Sequence, residues 1–143
     1  TPEKMERDRK RMAFDVKKDK KMLLNSVTEG GYNEGVIRMM VAIAGADGRI
    51  EDAEFKVATR IVQKHQRLRN ISNEELKLIT RDQGRILQTD FDKAIEALPL
   101  LIKTKKEREK ALVFAKEIAL ADEVVDEKEQ ALIDRIKALF EAA

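Results

Sequence analysis

The sequence predicts an all-α fold, and three observations predict it. Only six Gly and two Pro interrupt 143 residues. Apolar residues recur at i, i+3, i+4 and i+7 through most of the chain, the spacing of a helix that buries one face. Alternation of apolar and polar residues, which a half-buried strand needs, is nowhere sustained. At this length one domain is expected. Hydrophobic residues make up 43% and charged residues 39%, so a densely charged surface surrounds enough apolar material for a core, and disorder is excluded. The 29 basic residues meet 27 acidic ones, a net charge of +2. That balance speaks against a nucleic-acid binder, in which one sign dominates.

The elements follow in order. Thr1 to about Asn25 is dense in both signs, with nine Lys or Arg against six acids through Glu29. Met5, Met12, Val16 and Leu23 give it a sparse apolar stripe. It reads as a charged helix or linker over residues 1–30, ahead of a helical domain over 31–143, and Thr28-Glu29-Gly30-Gly31-Tyr32-Asn33 breaks it. Val36–Ala46 is apolar on nearly every face, which a helix tolerates only when surrounded. Asp47-Gly48 is a turn, and a helix from about Asp52 to Arg67 places Phe55, Ala58, Ile61 and Val62 on one face. Ser72 with Glu75 fits a capping box and starts a helix to about Arg81. Thr89 or Asp90 caps the next, which carries Phe91, Ala94, Ile95 and Leu98 and should end or kink before Pro99. Thr104 with Glu107 is a second capping box, opening a helix through Ala121. A last helix, about Glu127 to Phe140, carries Leu132, Ile133, Ile136, Leu139 and Phe140 on one side. The buried helices Val36–Ala46 and Ala111–Ala121 should sit centrally and face each other. The whole is a compact bundle of about seven helices.

The chain also repeats itself. Residues 43–62 and 118–137 align without gaps, 75 positions apart. Ile43/Ile118, Ala44/Ala119, Ala46/Ala121, Asp47/Asp122, Glu54/Glu129, Arg60/Arg135 and Ile61/Ile136 are identical. Each copy reads as a buried helix, an acidic turn and an amphipathic helix. Shared apolar periodicity arises easily by chance, but acids matched at i, i+4 and i+7 do so less easily, which points to an internal duplication.

Absent residues exclude much chemistry. Without cysteine there is no disulfide scaffold, thiol nucleophile or Cys-ligated metal. The one histidine, His65, excludes a His-based zinc site or a Ser-His-Asp triad within this chain. No apolar run approaches the ~18 residues that would cross a membrane, and no signal peptide is visible. The expected location is the cytoplasm. A start at Thr1 fits either loss of an initiator Met or excision from a longer protein.

The acidic turns are the candidate site. Asp47 to Glu54 looks like the second half of an EF-hand loop, but the earlier ligand positions hold Ile43 and Gly45, and in the second copy Ile118 and Leu120. Neither is a working EF-hand. A plainer metal reading remains: Asp47, Glu51 and Glu54 would converge if the chain turns into its helix at Asp47, and Asp122, Asp126 and Glu129 would do the same. Three carboxylates repel one another, and a hard cation, Ca²⁺ or Mg²⁺, relieves that. The competing reading is that these acids cap the helix and complement its dipole.

At these residues the sequence resembles the tellurite-resistance TerB family. Its hallmark, Ala-x-Ala-Asp-Gly followed by an acid and a Glu, used twice, is matched by Ala44-Gly45-Ala46-Asp47-Gly48 with Glu51 and Glu54. Ala119-Leu120-Ala121-Asp122 with Asp126 and Glu129 matches it again, departing at Glu123 where Gly is usual. The resemblance covers roughly residues 33–141. It implies a TerB-like helical bundle, acidic sites for divalent cations, links to tellurite and stress responses, and no enzymatic activity. Arg81-Asp82-Gln83 through Leu98-Pro99-Leu100-Leu101 also looks like the C-terminal helical region of proteins related to polyhydroxyalkanoate synthases, which implies an assembly or regulatory module of a larger enzyme.

Other residues carry less. His65, in the polar stretch Gln63–Arg67, reads as a cation near a helix C-terminus. The basic run Lys64–Arg69 and the N-terminal cations suit a solvated face or a peripheral contact with an anionic membrane. Met39 and Met40 read as core filler. The expectation is therefore a non-enzymatic accessory or scaffold domain, with protein partners and no nucleic acid. The oligomeric state is not encoded in these patterns.

Overall fold

Tyr32–Ala44 forms α1, the helix around which the others are arranged. Val36, Met39 and Ile43 are completely buried, and Ile37, Met40, Ala42 and Ala44 nearly so. Each large apolar side chain so buried contributes about 1.5–3 kcal/mol. The computed structural model describes residues 26–45, 52–65, 68, 70–120 and 127–143, with only the backbone given for most of 52–58. Of the expected charged helix or linker over residues 1–30, residues 1–25 lie outside the described residues, and for the apolar pair Phe55 and Ala58 only the helical backbone is described.

The remaining helices are α2 (Asp52–Lys64), α3 (Asn73–Thr89), α4 (Phe91–Glu96), α5 (Leu98–Leu101), α6 (Lys105–Ala119) and α7 (Glu127–Ala142). Among the described residues there is no strand. α1 packs chiefly on α3 and α6, and also touches α2, α5 and α7. The two apolar helices thus meet at the centre as the sequence predicts. Ala111, Phe114, Ala115 and Ile118 of α6 are fully buried against this axis. A 3-10 turn, Ser26–Thr28, lies against α4 and α5 and buries Val27 in the same core.

Local chemistry fixes the helix ends. Glu34 reaches back to the Gly31 amide at 3.0 Å and starts α1 four residues earlier than the apolar run alone implies. The preceding Gly30 has φ of +118°, a conformation that other residues enter at a cost. Ser72 accepts from the Glu75 amide, and Asp90, rather than Thr89, caps α4 through the Lys93 amide. Thr104 and Glu107 make both bonds of the capping box at 3.1 and 3.2 Å. Pro99 sits in the first turn of α5, where its missing N–H costs nothing, so the expected fourth helix becomes two short ones hinged at Ala97. α3 runs to Thr89, not Arg81, because Gln83, Ile86 and Leu87 continue its buried face past Gly84.

Two arginines close carbonyls that these short helices leave open. Arg108 of α6 donates to Ile102 O at 2.7 Å and Pro99 O at 3.0 Å, capping α5. Arg38 of α1 is wholly buried. Its Nε donates to Gln83 Oε1 of α3 at 2.7 Å, and its Nη1 to Val27 O at 2.8 Å and Ala94 O at 3.1 Å. One side chain therefore ties α1 to α3, α4 and the 3-10 turn. Burial lowers its pKa to about 10, so it stays charged at neutral pH. By contrast Arg135 bridges Asp92 and Glu96 on the surface, where such pairs contribute up to about 1 kcal/mol.

The repeat is visible in the helix boundaries. α1 ends at Ala44 and α6 at Ala119, while α2 begins at Asp52 and α7 at Glu127. Both intervals equal the 75-residue offset of the aligned sequences.

Two predictions follow from this packing. A Cβ at Gly35 would lie 2.9 Å from Ile102 Cγ1 and from Leu101 Cβ, whereas one at Gly84 meets nothing within 4 Å. Gly35→Ala should therefore destabilise by about 1–3 kcal/mol, and Gly84→Ala should stabilise by about 0.5–1 kcal/mol, both read by urea unfolding. Arg38→Ala orphans three acceptors and should cost at least about 3 kcal/mol. Arg38→Lys should recover only part of that, because an ammonium lacks the guanidinium fork. Full recovery by lysine would contradict the bonding described.

Candidate functional site

The acidic turns connect α1 to α2 and α6 to α7. Asp47, Glu51, Asp122 and Asp126 lie outside the described residues. Glu54 is on the first turn of α2, placed by its backbone alone. Glu129 is on the first turn of α7 and is 3% exposed. An acid in this first turn stands at the positive end of the helix dipole. Among the described residues no three His, Asp or Glu come together as a metal set. The structure thus places Glu54 and Glu129 at equivalent positions of two helix starts, and does not describe the rest of either triad.

A second feature has fuller geometry. A cleft of about 420 Å³ opens between the start of α1, the end of α2 and the stretch of α6 up to Phe114. Tyr32, Leu68 and Phe114 form its floor, and all three are buried. Lys106 and Lys110 stand on its rim one helical turn apart, beside Thr104 and Glu107. His65 forms the remaining wall, with its ring centroid 4.3 Å from that of Phe114 and the planes tilted by 53°.

His65 therefore differs from the helix-end cation expected from its polar neighbours. Burial against Phe114 lowers its pKa below 6.5; Glu117 works in the opposite sense, and Lys110 and Lys64 add to the lowering. The imidazole is neutral at pH 7. Its Nε2 is shielded from water and has no hydrogen-bond partner among the described residues. The sequence held partial signals of this cleft: Lys106 and Lys110 at i, i+4, and the single His and single Tyr of the chain. Their convergence from three helices was not legible, because nothing local to His65 reveals Phe114 beneath it.

The profile of the family described as tellurite resistance protein TerB matches residues 33–142. The chain belongs to the TerB family. A curated relative from Rhizobium meliloti, described as an uncharacterized protein in the ackA 5′ region, is 26% identical over 115 residues. That stretch is 80% of this TerB-family chain and 16% of the relative, so the chain spans about one sixth of that protein. No solved structure matches it significantly. The second resemblance, to proteins related to polyhydroxyalkanoate synthases, finds no support in these comparisons. Among the described residues no helix is long and apolar enough to cross a membrane.

The partial burial of His65 sets a pH dependence. Its folded pKa lies below the unfolded value of 6.5, so on acidification the unfolded chain takes up the proton first. The stability from neutral His65 should be complete above about pH 6.5 and decline as pH falls towards the folded pKa. Unfolding free energies at pH 7.5 and 5.5 should show this loss, and His65→Gln should reduce the difference between the two. An unchanged difference would assign the acid sensitivity to other groups.

Proposed function

We propose that this TerB-family domain is a non-enzymatic accessory or scaffold module whose two acidic turns take divalent cations, Ca²⁺ or Mg²⁺, in a stress-response or membrane-proximal complex. The observation that supports it is the coincidence of the repeated acids with the repeated architecture. Each apolar, central helix ends at the same point of its copy, each following helix starts at the same point, and the acids Asp47, Glu51 and Glu54 recur as Asp122, Asp126 and Glu129. Helix capping needs a single acceptor at Ncap. Three acids at i, i+4 and i+7, held in both copies, exceed that need and suit the oxygen-rich coordination of a hard cation. On this reading the cation would fix the angle between the helices of each copy, and so the surface offered to a partner.

A second reading concerns the longer context. The match to only one sixth of the Rhizobium meliloti relative favours a domain that also serves as a regulatory or assembly module within larger proteins. The two readings are compatible, since a cation-set helix angle can regulate an attached domain.

The test is calorimetric titration of Ca²⁺, then Mg²⁺, into metal-free protein, with an Asp47→Asn/Glu54→Gln variant and an Asp122→Asn/Glu129→Gln variant alongside. The expected result is saturable binding, reduced in stoichiometry in each variant. No heat above dilution up to millimolar cation would leave the acids as helix caps and overturn the cation reading.

A further inference from the structure

The cleft between α1, α2 and α6 has no part in the proposed cation sites. Its lining on and before α6 runs from Thr104 to Phe114, whereas the acidic turn follows Ala119. At about 1.5 Å per residue, Lys106 and Lys110 stand roughly 14–20 Å along α6 from its end at Ala119.

The charge of the cleft is positive and its floor apolar. Lys106 and Lys110 project from one face of α6, and Lys64 adjoins His65 at the end of α2. The opposing acids are Glu107 and Glu117. Glu107 accepts from the Thr104 amide and keeps its charge, so with Lys106 and Lys110 the lining carries a net charge of +1. His65 adds no charge at neutral pH. The first amides of α6 are served by Thr104 and Glu107, so a ligand would meet side chains here and not a bare helix end. Beneath the cations lie Tyr32, Leu68 and Phe114, three apolar surfaces from three separate segments. A recess of about 420 Å³ is within the range that holds a small organic molecule.

We propose that this cleft binds a small organic anion, a phosphate ester or carboxylate with a short apolar body, its charged group held by Lys106 and Lys110 and its apolar part set against Tyr32 and His65. Thr104 offers a hydroxyl beside the two ammonium groups. The tilted stack of His65 on Phe114 fixes the imidazole as a wall. Inorganic phosphate fits the cations but leaves the apolar floor unused, so the organic ester is favoured over it. The same chemistry could be presented by a free molecule or by a lipid headgroup; the recessed floor favours the free molecule.

The test uses the complete chain and phenyl phosphate as the probe. Because His65 is the only histidine, its ring protons report on the cleft without assignment by mutation. Titration at pH 7 should give saturable shifts of the His65 ring and of the Lys106 and Lys110 amides, with inorganic phosphate weaker. A bound anion should also raise the pH at which His65 titrates. Lys106→Glu/Lys110→Glu should weaken binding at least about tenfold, a loss of about 1.4 kcal/mol. Lys103→Glu/Lys105→Glu, of equal charge change on exposed lysines that do not line the cleft, should leave it within about twofold, well under 1.4 kcal/mol. Sedimentation with phosphatidic acid vesicles, lost in the Lys106/Lys110 variant, would assign the same anion chemistry to a lipid. Linear, non-saturating shifts together with no vesicle binding, or equal weakening by both lysine pairs, would overturn the proposal. Neither outcome touches the acidic turns, so the cation reading stands or falls separately.

Discussion

Arg38 of α1 is wholly buried, and its side chain ties three other segments to that helix. Its hydrogen-bond partners among the described residues are an amide oxygen and two backbone carbonyls, not a carboxylate. Burial of an unpaired cation costs several kcal/mol unless polar groups surround it. Here the compensation comes through Nε and Nη1, while Nη2 is buried with no hydrogen-bond partner among the described residues. Ala94 O belongs to the short helix α4, and Val27 O to the 3-10 turn, both places where the backbone leaves acceptors open. The guanidinium satisfies carbonyls that would otherwise face the core, while their dipoles offset its charge. Removal of either side leaves the other exposed to an apolar interior.

This constraint explains why the short segments hold their shape. A six-residue helix and a four-residue helix are too brief to be stable by themselves. α4 is pinned by Arg38 from within and by Arg135 at its surface, and α5 by Arg108 and by the close approach of Gly35 to Leu101 and Ile102. The central helix α1 thus needs both a cation and a glycine on faces that an ordinary buried helix would fill with apolar side chains.

The all-helical class, the two central apolar helices and most helix starts were legible because they depend on local signals: 3.6-residue periodicity, capping residues and proline. Arg38 was not. It occurs once in an otherwise apolar run, and its partners lie 11, 45 and 56 residues away in sequence. The extension of α3 past Gly84 was hidden for a related reason, since burial of Ile86 and Leu87 outweighs a propensity cost of about 1 kcal/mol. At the candidate sites the asymmetry repeats. The acids of the turns stand out as a spaced and duplicated pattern. The cleft at the other end of α6 depends on tertiary convergence, so His65 read from its neighbours alone looked like a surface cation.

This TerB-family chain has a frame whose packing constraints gather at its centre, with the candidate sites nearer the ends of its helices. The most direct measurement of that frame is hydrogen exchange at the Arg38 guanidinium, followed by NMR under native conditions. A buried, triply bonded side chain should give an Nε–H resonance that persists at neutral pH and exchanges only with global unfolding, at a free energy matching that of the slowest α1 amides. Exchange as fast as that of the exposed arginines, with the α1 amides still protected, would show that Arg38 leaves the core readily and would contradict its place at the centre of the fold.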